Sequence, residues 1–287
     1  MPRLLRNPVR SLEQLRDRID RLFREPRVQA QNQLSFELSL GASEDFGIPT
    51  KSAATFLDFL SDAVPAGDVF LFGGLLRDLA LLGGRGFNSD VDVVIEGDWE
   101  FACAYIESIG ASKNKFGGYR LQIADWPIDV WNAEETWAIK NKVVEYKGIS
   151  SLTKTTVLNW DAILMNWRTK AFVFPKTYFD ALHLGVLDIV LEQNPNPIGM
   201  ATRVFRHLCA KDAAKITVKA AVYLARAAAE YPFEVLRATE IRSYGESLIE
   251  PNVYEFFKRL SVEDSDIEVR SRFGRTTEAM KLDLGLT

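Results

Sequence analysis

Between Phe70 and Ile95 the chain reads F-L-F-G-G-L-L-R-D-L-A-L-L-G-G-R-G-F-N-S-D-V-D-V-V-I, a diglycine turn placed ahead of a paired Asp-x-Asp. Val69 to Phe72 form a short apolar run that predicts a buried strand, Gly73-Gly74 a tight turn, and Leu75 to Leu82 a helix with Leu75, Leu76, Leu79 and Leu82 on its apolar face. A second strand, Val91 to Ile95, comes next and carries Asp90 and Asp92. Residues two apart on a strand project to the same face, so both carboxylates point one way while Val91 and Val93 point the other. Like charges that close repel unless a cation sits between them, and a divalent metal is the usual solution.

A third acidic residue belongs to the same problem. Tyr119 to Ile123 and Ile128 to Trp131 alternate like hairpin strands around a turn at Asp125-Trp126-Pro127, and Asp129 falls inside the second of them, between Ile128 and Val130. An acid buried at such a position without a partner would be costly. It is either an edge-strand residue facing water or a lysine, or a residue kept there for a functional reason.

The diglycine turn, Arg77-Asp78 and the Asp-x-Asp together resemble the head domain of tRNA nucleotidyltransferases (CCA-adding enzymes) and bacterial poly(A) polymerases. These form a branch of the DNA polymerase β-like nucleotidyltransferase superfamily that carries G-G-x-x-R-D followed by D-x-D. The matching residues are Gly73, Gly74, Arg77, Asp78, Asp90 and Asp92, and the stretch between is a few residues longer than the family's, with Gly83, Gly84 and Gly86 marking the insertion. The resemblance implies an α+β fold: a small mixed sheet with flanking helices, followed by a helical neck. It divides the chain into an N-terminal helix and linker (1–50), a head (51–195) and a neck-like part (196–287).

It also implies a chemistry. A nucleoside monophosphate would pass from an NTP to a hydroxyl with release of pyrophosphate. Asp90, Asp92 and Asp129 would serve as catalytic ligands of two Mg²⁺ ions. Gly73 and Gly74 would let backbone N–H groups approach the phosphates, Arg77 would contact the triphosphate, and Asp78 would hold Arg77 or a sugar hydroxyl. An RNA 3′ end is the favoured acceptor, with a protein side chain or a small molecule as the alternative and a non-catalytic nucleotide- or RNA-binding module as a third reading.

Downstream the resemblance frays. Leu158 to Asn166 and Ala171 to Val190 are similar to the family's stretch that runs from an F-T-x-N-A segment through a strand, a short helix and another strand, but Thr155-Thr156-Val157 stands where the family has Arg-Arg-Asp. Asn196-Pro197-Ile198-Gly199 stands where it has D-P-L-R, and no clear E-D-x-x-R occurs. Selection between CTP and ATP by the family's own elements is therefore not expected.

Composition excludes several other classes. The 287 residues, 47% of them hydrophobic, can bury a sizeable core. Cys103 and Cys209 lack metal-ligand spacing and read as reduced thiols of a cytoplasmic protein, and His183 and His207 are too few and too isolated for a zinc centre. No apolar run approaches membrane-spanning length. The tryptophans clustered in the head, Trp126, Trp131, Trp137, Trp160 and Trp167, are expected to pack rather than to stack on a base.

Net charge is −4, yet eight basic residues face four acidic ones between Arg203 and Arg242. Arg203, His207, Lys211, Lys215 and Lys219 recur every four residues, which on one helix makes a basic stripe, either a solvated face or a phosphate-contacting one. Helices are also expected over Ser11–Glu25, with a Ser11-x-x-Gln14 capping box, over 51–64 and 99–109, and over 213–231. The polar segment 26–49 reads as a linker.

Overall fold

The computed structural model describes residues 6–24, 52–84, 87, 90–114, 117–260, 266–269 and 273. The linker segment 26–49, Gly86 and the end of the first expected helix at Glu25 lie outside these residues. Helix α1 (Leu12–Arg24) starts where Ser11 Oγ accepts from the Gln14 backbone N–H at 3.2 Å, while Gln14 Oε1 accepts from the Arg10 N–H at 2.7 Å. The capping box therefore forms with its return bond shifted by one residue. Leu15 and Ile19 of α1 are fully buried, and Phe23 packs against Trp126 and Trp167. This binds the amphipathic helix across the sheet rather than leaving its apolar stripe open.

Helix α2 (Ala53–Ala63), capped by Ser52, leads into β1 (Asp68–Phe72), α3 (Gly74–Leu81), β2 (Val91–Glu96) and α4 (Trp99–Ser108). A hairpin of β3 (Tyr119–Ile123) and β4 (Trp126–Asn132) comes next, then the short α5 (Trp137–Lys140), β5 (Leu164–Asn166) and β6 (Phe172–Val173). These strands make one six-stranded mixed sheet in the order β3-β4-β2-β1-β5-β6. β2 and β4 run parallel, joined through α4 and β3, and the other pairs are antiparallel.

The hairpin turn falls at Ala124-Asp125, not at Asp125-Trp126-Pro127 as the sequence suggests. Ala124 takes the positive φ (48°) that a two-residue hairpin requires, so Trp126 and Pro127 belong to β4. Pro127 opposes Gln122, one step from the turn-closing pair Ile123 and Trp126. That is a position where an antiparallel ladder does not use the N–H, and β2 joins β4 only from Ile128 onward.

One face of the sheet, with Val69, Leu71, Val91, Val93 and Ile95, is sealed by α1 to α4 in a continuous core. The other face carries Phe70, Phe72, Val94 and Leu164 and is only partly covered, by Leu152, Ile139 and Ile149. The tryptophans pack: Trp160 is fully buried, Trp126 stacks on Phe87, and the Trp167 indole donates to Asp58 at 2.7 Å.

Beyond the sheet lie α6 (Tyr178–Leu184), β7 (Val186–Leu187), α7 (Pro197–Ala210), β8 (Lys215–Ile216), α8 (Val218–Glu230), α9 (Phe233–Tyr244), α10 (Pro251–Arg259) and β9 (Ile267–Glu268). β7, β8 and β9 form a second, three-stranded sheet. The expected helix over 213–231 is thus a strand followed by a helix, because Thr217 caps α8 by accepting from the Ala220 N–H and Lys215-Ile216 pairs with both β7 and β9.

That break also dissolves the basic stripe. Arg203 and His207 are on α7, Lys211 lies just past its end, Lys215 pairs with Glu268 at 2.7 Å, and Lys219 donates to the Val190 carbonyl at 3.0 Å.

A buried carboxylate ties the helical part together. Glu240 is fully buried, pairs with Arg206 at 2.7 Å, and accepts from Ser247 Oγ and from the Leu248 and Ile249 N–H groups. Glu240→Ala takes from Arg206 its buried partner, leaving it Glu246 at 3.2 Å, and deprives the Leu248 and Ile249 N–H groups of their acceptor, so it is expected to cost about 3 kcal/mol of stability, measured by urea unfolding.

Candidate active site

Strand register builds the site. Directly opposite residues share a face, and the pairs Arg120–Asp129, Asp129–Asp92, Asp92–Phe72, Phe72–Leu164 and Leu164–Val173 define one transverse row across the partly covered face of the sheet. Asp92 and Asp129 are immediate neighbours on parallel strands. Asp90, two residues before Asp92, reaches the same side, since one guanidinium, that of Arg120, touches both Asp90 (2.6 Å) and Asp129 (3.7 Å).

Electrostatics records the crowding. Burial, then the neighbouring Asp129, and further on Asp90 and Asp161, push the Asp92 carboxyl up to about 7, against the opposing pull of Arg203. Burial and Asp90 also raise Asp129, with Arg120 opposing. All these donors are carboxylate oxygens, which suits a hard divalent cation. A guanidinium drawn between two of them shows that the cluster attracts positive charge. Among the described residues no three acidic, histidine or cysteine side chains converge into a ready ligand shell, Arg120 lying between Asp90 and Asp129.

The diglycine turn sits beside this row. Phe72 is the last residue of β1 and faces Asp92, so Gly73 and the start of α3 come immediately beyond the carboxylates. Gly73 has φ 64° and ψ −115°, a conformation that side-chain-bearing residues avoid, and its N–H donates to the Ile163 carbonyl at 3.0 Å. The first N–H groups of α3 have no partner within the helix, which makes its start a natural place for an anion.

Arg77 and Asp78 lie in a helix whose residues from 75 to 81 are all buried. The Arg77 side chain is 7% exposed and pairs with Asp78 (2.8 Å) and with Asp161, while the Asp78 side chain, 1% exposed, also receives Lys211 at 2.9 Å. Burial works against the Arg77 charge, but Asp161 and Asp78 outweigh it and raise its pKa. Burial likewise opposes ionisation of Asp78, but Arg77 and Lys211 prevail and hold its carboxyl below the usual range. Both residues sit within the protein behind the turn, and Asp78 engages Arg77.

Asp161, not marked in the sequence, joins the site together with Arg203 of the expected basic stripe. Asp161, at the end of a 3₁₀ turn (Asn159–Asp161), anchors Arg77 and adds to the field at Asp92. Its only signal is an acid inside the otherwise apolar stretch Trp160–Met165. Arg203 of α7 is exposed to solvent. Desolvation opposes its charge, Tyr244 and Asp161 sustain it, and it reaches Asp92 electrostatically. His207, one turn on, is buried and neutral, its Nδ1 on the Arg203 carbonyl at 2.8 Å. Gly199 stands where the family has an arginine, and a Cβ there would run into the Asn196 carboxamide that caps α7.

At the far end of the transverse row, three strand spacings or roughly 14 Å from Asp92, lies a groove of about 450 Å³ that includes Val173, Lys154, Asn159, Phe174, Tyr178 and Asp188 in its walls.

The architecture, a mixed sheet with helices on one face and a helical part behind it, is that of the head and neck of CCA-adding enzymes. Similar solved structures include a CCA-adding enzyme with CTP (19% identity, 71% of this chain and 50% of that one, TM-score 0.53) and a Thermotoga maritima CCA-adding enzyme complexed with tRNA (17%, 71% and 50%, 0.50). A tRNA nucleotidyltransferase with a primer tRNA and an incoming ATP analogue is similar at 16% identity over 70% of this chain and 60% of that one (TM-score 0.50). The chain thus spans about half the length of the first two, and the likeness is one of fold. No family profile and no curated protein matches the sequence. Among the described residues no helix is long and apolar enough to cross a membrane.

Two outcomes are expected at this site. Asp161→Ala leaves the buried Arg77 to share Asp78 with Lys211 and should cost about 3 kcal/mol in chemical denaturation, whereas Asp161→Asn, which keeps a hydrogen-bond acceptor, should cost less. Without divalent cations the folded protein holds a proton on Asp92 between its ordinary value of 3.8 and about 7 that the unfolded chain has released. Stability must therefore fall as pH rises through that window. Melting in EDTA should show this decline and Asp92→Asn should flatten it.

Proposed function

We propose that this chain is a nucleotidyltransferase that moves a nucleoside monophosphate from an NTP to a hydroxyl, most readily an RNA 3′ end. The observation that carries the reading is the pairing of Asp92 with Asp129 beside the Gly73-Gly74 turn, in a fold shared with CCA-adding enzymes. When bound at these carboxylates, Mg²⁺ supplies acidification of the acceptor hydroxyl and charge neutralisation at the departing pyrophosphate.

The rest is the work of the chain. Asp92 and Asp129 would hold the metal, and Asp90 would join them. The N–H groups at the start of α3 receive phosphate oxygens, and Gly73 keeps side-chain bulk away from them. Arg203 acts electrostatically on this cluster and takes the triphosphate contact that the family resemblance assigns to Arg77. Arg77 and Asp78 fix the turn from behind. Where the family has Arg-Arg-Asp, the Thr156 hydroxyl is spent on the Leu158 carbonyl at 3.0 Å, so base choice falls to other residues.

The test is incubation with each α-labelled NTP and Mg²⁺, with and without RNA. Label should enter RNA, and Asp92→Ala or Asp129→Ala should each lower incorporation by at least roughly a hundredfold, the scale on which even the outer partners of metal ligands act. Label in protein or in a small molecule would move the acceptor. Absence of transfer with every NTP would refute the reading.

A further inference from the structure

We propose that Arg120 is a built-in counter-cation that holds the carboxylate row closed until a divalent cation displaces it. The inference rests on the reading of Asp92 and Asp129 as metal ligands.

Arg120 lies on β3, the edge strand of the sheet, whose burial alternates so that Tyr119, Leu121 and Ile123 face inward and Arg120 and Gln122 outward. Register puts Arg120 directly opposite Asp129. Its guanidinium lies 2.6 Å from Asp90 and 3.7 Å from Asp129, between two of the three carboxylates assigned to the metal. That is a place a cation must enter to bridge them.

The side chain suits a displaceable role. Arg120 is 61% exposed, unlike Arg77 with 7%, so solvent screens its pairs and its long stem can swing outward without breaking any core contact. A buried arginine at this point would be a permanent occupant. An exposed one lowers the repulsion of the empty site and competes with metal only weakly. The cluster then need not carry its full unscreened charge before substrate arrives, and it opens to a cation of higher charge density.

The experiment measures Mn²⁺ binding alone, by water-proton relaxation, for the wild type, Arg120→Gln, Arg120→Lys and Asp92→Asn, together with the melting temperature of each in EDTA and in Mn²⁺. Arg120→Gln should bind Mn²⁺ about three- to tenfold more tightly than wild type, the scale of an exposed pair or two. It should also melt lower in EDTA and gain more from Mn²⁺, while Arg120→Lys stays close to wild type. Equal or weaker Mn²⁺ binding in Arg120→Gln, with binding lost in Asp92→Asn, would overturn the proposal and leave the metal-ligand reading standing. Binding indifferent to both substitutions would overturn the two together.

Discussion

Four charges buried at the junction of three elements set the geometry of everything around them. Arg77 stands in the first turn of α3, Asp161 closes a 3₁₀ turn ahead of β5, and Lys211 lies just past α7, with Asp78 joining the two cations. Removing such charges from water is costly, and it is tolerated only when each has close partners. The network cannot form unless α3, the 158–166 segment and the end of α7 are all in place at once. It therefore couples the strained Gly73 turn to the helical part of the protein and fixes the start of α3 relative to the sheet.

Against that fixed turn, the period of the strands does the rest. Two residues per repeat bring Asp90 and Asp92 to one face, and the parallel pairing of β2 with β4 sets Asp129 beside them. The same alternation sends Val91, Val93, Ile128 and Val130 into the core. Apolar burial on one face thus holds together charges on the other that would drive each other apart. The raised pKa of Asp92 is the residue of that conflict; Arg203 tempers it, as Arg120 tempers that of Asp129.

Local rules made much of this legible in the amino-acid sequence. The turn, α3 and the two strands result from glycines and apolar spacing within a window of some two dozen residues, and Asp129 stood out as an acid among β-branched neighbours. What was not legible came from contacts distant along the chain. Asp161 meets Arg77 across 84 positions and Lys211 meets Asp78 across 133, so nothing in either neighbourhood signals the pairing. The spacing by four from Arg203 to Lys219 imitates a helix because it takes no account of Thr217 as a cap or of Asp212 at φ 53°. The hairpin turn shifted by one residue because Ala124 accepted a positive φ more usual for glycine or asparagine.

The central claim is that the carboxylate row directs attack at the α-phosphorus of an NTP. It is tested most directly by tracing the fate of γ-labelled NTP mixed with the protein, Mg²⁺ and RNA. The account predicts one labelled pyrophosphate for each nucleotide incorporated, and none with Asp92→Asn. Release of labelled orthophosphate instead, or pyrophosphate formed equally well by Asp92→Asn, would contradict it.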